Sequence, residues 1–112
     1  MRIAIPLVQG KLSLHFGHCD TFAVVDVDST EKNILNTEVF DAPSHEPGAL
    51  PKWLCDMQVN LIIASGMGQR AQMLFEQYGI NVMVGAQADT PQQVAESYLN
   101  GTLQIGANIC DH

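Results

Sequence analysis

In the stretch Ser13-Leu14-His15-Phe16-Gly17-His18-Cys19-Asp20, five of the eight side chains are His, Cys, Ser or Asp. It runs directly into the apolar segment Thr21 to Val27. Imidazole and thiolate are soft-to-borderline ligands, suited to a metal ion or a metal–sulfur cluster held on a loop entering a strand. Gly17 permits backbone conformations that other residues resist, or close approach of a ligand to the main chain. His15 and His18 are also separated as ordinary polar loop residues would be. A third histidine, His45, falls in the turn-forming segment Ala42 to Gly48, and the chain ends Cys110-Asp111-His112. His15, His18, Cys19, His45, Cys110 and His112 are the candidate metal ligands. Their spacing alone does not say whether they converge.

A second candidate is Ser65-Gly66-Met67-Gly68-Gln69, a glycine-containing turn between an apolar strand and a helix. Its amides and the helix start could receive an anion. It is not a P-loop, since no Gly-Lys-Ser/Thr follows. As a dinucleotide fingerprint it is weak: Ala71 stands at the third glycine position and no acidic residue follows the next strand. The glycines would equally serve a tight turn and close helix packing. Arg70 and Lys11 are the basic residues nearest these loops in sequence, each with a solvated surface charge as its simpler reading. Asp26 and Asp28 share one face of a strand and could hold a divalent metal for hydrolysis. No third carboxylate accompanies them, so a solvated strand end is the better reading. Cys55 reads as a small buried hydrophobe between Leu54 and Met57.

The elements that must position these residues follow from hydrophobic periodicity. Ile3 to Val8, Thr21 to Asp28, Ile34 to Asp41, Asn60 to Ala64 and Ile80 to Val84 read as strands. Pro6 argues for an edge position or a bulge in the first of them. The short polar link Ser29 to Asn33 makes strands two and three an antiparallel hairpin. In strand three, Leu35, Thr37 and Val39 lie on one face, and Ile34, Asn36, Glu38 and Phe40 on the other. Leu50, Trp53, Leu54 and Met57 keep helical spacing, with Pro51 tolerable only in the first turn. Ala71, Leu74, Phe75 and Tyr78 form the inward stripe of a second helix closed by Gly79. Thr90-Pro91-Gln92-Gln93 is a capping box with Pro at the first helical position, and Val94, Ala95, Tyr98 and Leu99 form that helix's buried face. The order predicts a mixed sheet flanked by helices, with ligands beyond the carboxyl ends of its parallel strands. The loops after strands one and four are the candidates for that edge.

Length and composition bound the rest. The 112 residues, 46% hydrophobic and 15% charged, suit one domain with a real core. The net charge of -7 argues against a grip on nucleic acid and against a polybasic membrane surface. Three cysteines without a CxxC pair fit free or metal-bound thiols in a reducing compartment. With no signal peptide or membrane span read from the sequence, the expectation is a cytoplasmic protein.

Several of these residues carry a family resemblance. His15-Phe16-Gly17 with Phe22 and Val24-Val25-Asp26-Val27, then Ile62-Ile63-Ala64-Ser65-Gly66-Met67-Gly68 and Gly79-Ile80, resemble the dinitrogenase iron–molybdenum cofactor biosynthesis family. The likeness runs from about Arg2 to Leu103 and is to the stand-alone type, so residues 1–112 are expected to be a single domain of that kind. It implies a ribonuclease-H-like α/β fold of three layers, with a mixed five-stranded sheet flanked by helices and no nuclease activity. It further implies binding or carriage of an anionic metal–sulfur cluster, either iron–molybdenum cofactor-like or a molybdenum/copper sulfide, without catalytic turnover. By resemblance His15 is the cluster contact, with His18 and Cys19 in support. Phe16, Gly17, Ser65, Gly66, Met67 and Gly68 would cradle the cluster, largely through backbone amides. The implied partners are cluster donor and acceptor proteins, and the chain would be a monomer or weak homodimer. Against this stand a small metal-dependent hydrolase using Asp26 and Asp28, a metal-free ligand-sensing or protein-interaction module, and a structural zinc site from His15, His18, Cys19 and Cys110.

Overall fold

The computed structural model describes residues 1–43, 48–87 and 89–106, apart from the side chain of His18. Its strands are β1 (Arg2–Val8), β2 (Lys11–Leu12), β3 (Thr21–Asp28), β4 (Asn33–Asp41), β5 (Leu61–Ile63) and β6 (Asn81–Met83). Its helices are α1 (Ala49–Asp56), α2 (Gln69–Gln77) and α3 (Pro91–Asn100), with a single 3₁₀ turn at Phe16–His18. The strands form one mixed sheet in the order β4-β3-β1-β5-β6, and β2 folds back onto β1. β1 pairs antiparallel with β3 and β3 with β4, whereas β1–β5 and β5–β6 are parallel. The mixed sheet and its hairpin are as the sequence pattern predicts. The short β2 is an addition, built from two residues that read as loop.

Alternation along the strands divides the core in two. Ile3, Ile5, Leu7, Ala23, Val25, Val27 and Ile63 face α3 and pack on Val94, Ala95 and Leu99. Ala4, Phe22, Ile62 and Ala64 face the other way and pack on Leu50 and Leu54 of α1 and Phe75 of α2. The sheet is therefore the middle of three layers. The caps are those expected: the Thr90 hydroxyl accepts from the Gln93 amide at 3.3 Å with Pro91 at the first helical position, and Gly79, at φ +76°, closes α2. Pro51 lies in the first turn of α1.

Three expectations are corrected. Ile34 does not share a face with Phe40: a bulge in β4 at Leu35 turns Ile34 to the α3 side, whereas Phe40 packs on Trp53 on the other. Pro6 does not mark an edge, because β1 is the central strand. Its carbonyl accepts from Ser13, on the side away from β3, so its missing N–H also faces that side. There the parallel register with β5 has already ended at Ala4–Ile62, so no bond to β5 is lost. Tyr78 does not complete the inward stripe of α2: it is 40% exposed, at the point where the helix has already ended.

Candidate functional site

β1 and β5 run parallel and side by side, so the loops leaving their carboxyl ends emerge on the same edge. The first loop contains His15 to Asp20 and the second Ser65 to Gly68. They are joined directly: the Phe16 amide donates to the Gly66 carbonyl at 2.8 Å. The Phe16 ring, 7% exposed, stands edge-on between Phe22 and Phe75, at 5.9 and 5.5 Å between centroids. One residue thus ties the first loop to the second and anchors it in the core. The buried Ser13 hydroxyl donates to the His15 carbonyl at 2.6 Å, and the Asp20 amide donates to Leu7 at 2.8 Å, closing the loop at both ends.

The glycine turn is held by its carbonyls. Ser65 accepts from the Gly85 amide at 2.7 Å, Gly66 from Phe16, and Met67 from Gln72 Nε2 at 2.9 Å. The described peptide bonds are trans, so each unit carries its N–H opposite its carbonyl. The amides of Gly66, Met67 and Gly68 therefore point away from the groups that hold the turn. They lead into the N-terminus of α2, where the first amides of the helix are also directed outward. Gly66 and Met67 are buried, so an anion reaching this turn from solvent would meet the amide of the half-buried Gly68 and those of the first turn of α2. Met67 itself is fully buried and Ser65 is 7% exposed, so both belong to the turn through their backbones.

The side chains are less uniform. His15 is exposed and borders a shallow, mostly apolar depression of about 280 Å³ with Val8, Leu12, Ser13 and Leu14. Gly17 is also exposed, and a Cβ there would meet nothing within 4 Å. Its φ lies outside the left-handed region, so of its two expected uses only the open approach to the main chain applies. Cys19 departs from the ligand role read from its type. It is 5% exposed, packed among Phe16, Phe22 and their neighbours, and burial pushes its thiol up to about 11. In this setting it is a neutral, small apolar residue. Among the described residues, no three His, Cys, Asp or Glu side chains come together as a metal-ion site. His45, Cys110 and His112, and the side chain of His18, lie outside the described residues. Arg70, in the first turn of α2, and Lys11, on β2, are exposed.

The two aspartates have structural partners. Asp26 holds Arg2 at 2.7 Å, and Asp28 accepts from the amides of Thr30 and Glu31 at 3.0 and 3.1 Å, shaping the β3–β4 turn. Cys55 is half-buried at the rim of the α1–α2 side of the core. Gly85 was not legible as part of the site. It lies just past β6, at φ +86°, with its amide on Ser65 and its carbonyl accepting from the Gly106 amide at 2.6 Å. Its position directly after an apolar strand was the available signal.

A family model described as dinitrogenase iron–molybdenum cofactor matches residues 1–101. The chain belongs to this family. It is 32% identical over 109 residues to an uncharacterised protein of Methanocaldococcus jannaschii, covering 93% of this chain and 90% of that one. The crystal structure of PH0822 superimposes with a TM-score of 0.87 at 31% identity, covering 96% of each chain. The apo form of the orange protein from Desulfovibrio gigas shares the fold, with a TM-score of 0.72 at 24% identity over 96% of this chain and 93% of that one. The segments that resemble the family in sequence, His15-Phe16-Gly17 and Ser65 to Gly68, are those joined by the Phe16–Gly66 hydrogen bond. No helix among the described residues is long and apolar enough to cross a membrane.

Proposed function

We propose that this chain holds a preformed, anionic metal–sulfur cluster at the joined loops and passes it to acceptor proteins. The observation that carries this reading is the Phe16–Gly66 bond, which joins the loop of the exposed His15 to the turn that leads into the N-terminus of α2. The donor set suits such cargo better than a bare cation. A divalent ion needs three or four converging ligands, and none of the described clusters of acidic, Cys or His side chains supplies them. A cluster that keeps its own sulfides needs only hydrogen-bond donors and one side-chain contact, and backbone amides supply charge-assisted bonds without thiolate ligation. Holding the cluster without several thiolate bonds also lets it leave. His15 supplies the side-chain contact; Gly17, with no Cβ, leaves the loop open to the cargo. The cluster is iron–molybdenum cofactor-like or a molybdenum/copper sulfide, and family membership supports that class.

The hydrolase reading is weaker, because Arg2 and the β3–β4 turn already occupy Asp26 and Asp28. The test is anaerobic mixing with iron, sulfide, thiomolybdate and copper, followed by desalting, visible spectroscopy and metal analysis. Wild type should retain a coloured species at a fixed metal-to-chain ratio, and His15→Ala should retain much less while melting at the same temperature. Retention of no metal from any mixture would remove the carrier reading and leave the metal-free interaction module.

A further inference from the structure

β4 is a boundary strand of the sheet, and its outer side pairs with no other strand among the described residues. At nine residues it is also the longest strand. An open edge of this kind is a template for another strand unless proline, lysine or a cover protects it. β4 (NILNTEVFD) contains no proline and no basic residue. It has one bulge: the register passes from Asp26–Asn36 to Val27–Ile34, leaving Leu35 as the extra residue. Leu35 is 67% exposed and Val39 57%, the two most exposed large hydrophobic side chains described.

The sequence of this edge is complementary to itself in one register. We infer that β4 is the interface of a two-fold homodimer, pairing antiparallel with β4 of a second copy about Thr37. A two-fold axis perpendicular to the sheet keeps each face with its like, so cross-strand positions must be an even number apart. Centred on Thr37, Leu35 lies opposite Val39 of the second copy and Thr37 opposite itself, all on the α3 face. On the other face, Asn36 lies opposite Glu38 of the second copy, an amide against a carboxylate. No like charges meet, and both exposed hydrophobic residues are covered. Neighbouring registers fail on the same criteria. Centring on Glu38 sets two carboxylates face to face, and centring on Asn36 sets Leu35 opposite Thr37 and no longer opposite Val39. The cavity between β4 and α3, about 660 Å³, is lined by Leu35, Thr37, Gln92 and Glu96 among others, and Val39 of the second copy arrives at its mouth.

The five central pairs form a small interface, in the class below about 1,200 Å² that associates weakly and reversibly. The charge of -7 on each copy opposes association, so added salt strengthens it. The Asp41 end of β4 lies beside Thr21, at the edge that carries the candidate site, so the two sites of the dimer point in opposite directions and load independently.

Sedimentation equilibrium over the micromolar to millimolar range tests this. Wild type should dimerise reversibly. The double variant Leu35→Glu/Val39→Glu sets carboxylates opposite each other twice and should weaken association by about tenfold or more. Leu35→Glu/Val39→Lys sets carboxylate against ammonium twice and should restore it. Both positions are largely exposed, and equal melting temperatures would show the fold intact. Thr37→Cys, made in a background with the native cysteines replaced by serine or alanine, should cross-link to itself on oxidation, because directly opposed strand positions lie at disulfide distance. A wild type that stays monomeric over the whole range overturns the dimer. Equal association by the two double variants, or no cross-link through Thr37→Cys, overturns the register.

Discussion

Gly85→Ala tests the support behind the glycine turn. Gly85 sits at φ +86°, and a Cβ built on it would overlap the Gly106 carbonyl oxygen, with Gly106 C and Ile105 Cγ2 at 2.9 Å. The obstruction is mostly backbone, so no side-chain rotation relieves it. Either the 105–106 segment moves away, breaking the Gly106–Gly85 bond and the Ala86–Ile105 bridge, or Gly85 leaves its conformation and releases Ser65. The left-handed conformation costs a non-glycine residue about 1–2 kcal/mol. The lost hydrogen bond adds about 1 kcal/mol. Reduced freedom of the unfolded chain returns about 0.4–1 kcal/mol. The net is a loss of about 1–2.5 kcal/mol, or a melting temperature lower by roughly 4–12 °C for a domain of this size. Gly10→Ala is the control: φ is +81° there, yet a Cβ would meet nothing within 4 Å. Calorimetry of both variants separates strain from obstruction. If Gly85→Ala melts no lower than Gly10→Ala, the argument that the 105–106 segment braces the turn is refuted.

Three further outcomes follow from the same geometry. Cys19 should react with a thiol reagent at neutral pH far more slowly than Cys55, measured in a Cys110→Ser background, and the difference should vanish in denaturant. Its folded thiol titrates at about 11 against 9.0 when exposed, so the unfolded chain loses that proton first and stability should fall as pH rises from about 9 through 11, a slope that Cys19→Ala removes. Phe16→Leu should fold, with a loss of about 1–2 kcal/mol by denaturant melt, yet retain cluster poorly, because the loop loses its two ring contacts. Asp26→Asn breaks a partly exposed ion pair and should cost no more than about 1 kcal/mol, with cluster retention unchanged; any metal-dependent hydrolysis that it abolished would revive the hydrolase reading.

What was legible in the sequence was local. The β-branched runs, the Thr90 cap, Pro51 in a first turn and Gly79 at a helix end each report a conformation set within a few residues, and each was found where expected. The features that were missed depend on partners far along the chain. Pro6 reads as an edge residue until β5 is seen to stop short of it. Cys19 reads as a ligand until Phe16 and Phe22 are seen to enclose it. Lys11 and Leu12 read as loop until β1 turns back to meet them.

The candidate site lies between these cases, and that explains why a short motif can mark it. The His-Phe-Gly loop and the glycine turn are each too brief to specify a binding surface. Their spacing of 50 residues from Phe16 to Gly66 carries no periodic signal. What makes them one site is the parallel pairing of β1 with β5, since parallel neighbours must release their following loops on the same edge. The phenylalanine then has a task that neither histidine nor glycine could perform: its ring fills the space between Phe22 and Phe75 while its amide reaches Gly66. With the loop pinned at Phe16, His15 is left exposed on one side and Gly17 open on the other. Three consecutive residues are thus placed differently, Phe16 buried as the anchor and His15 and Gly17 exposed on either side of it in the chain, which is what the proposed cluster contact at His15 requires.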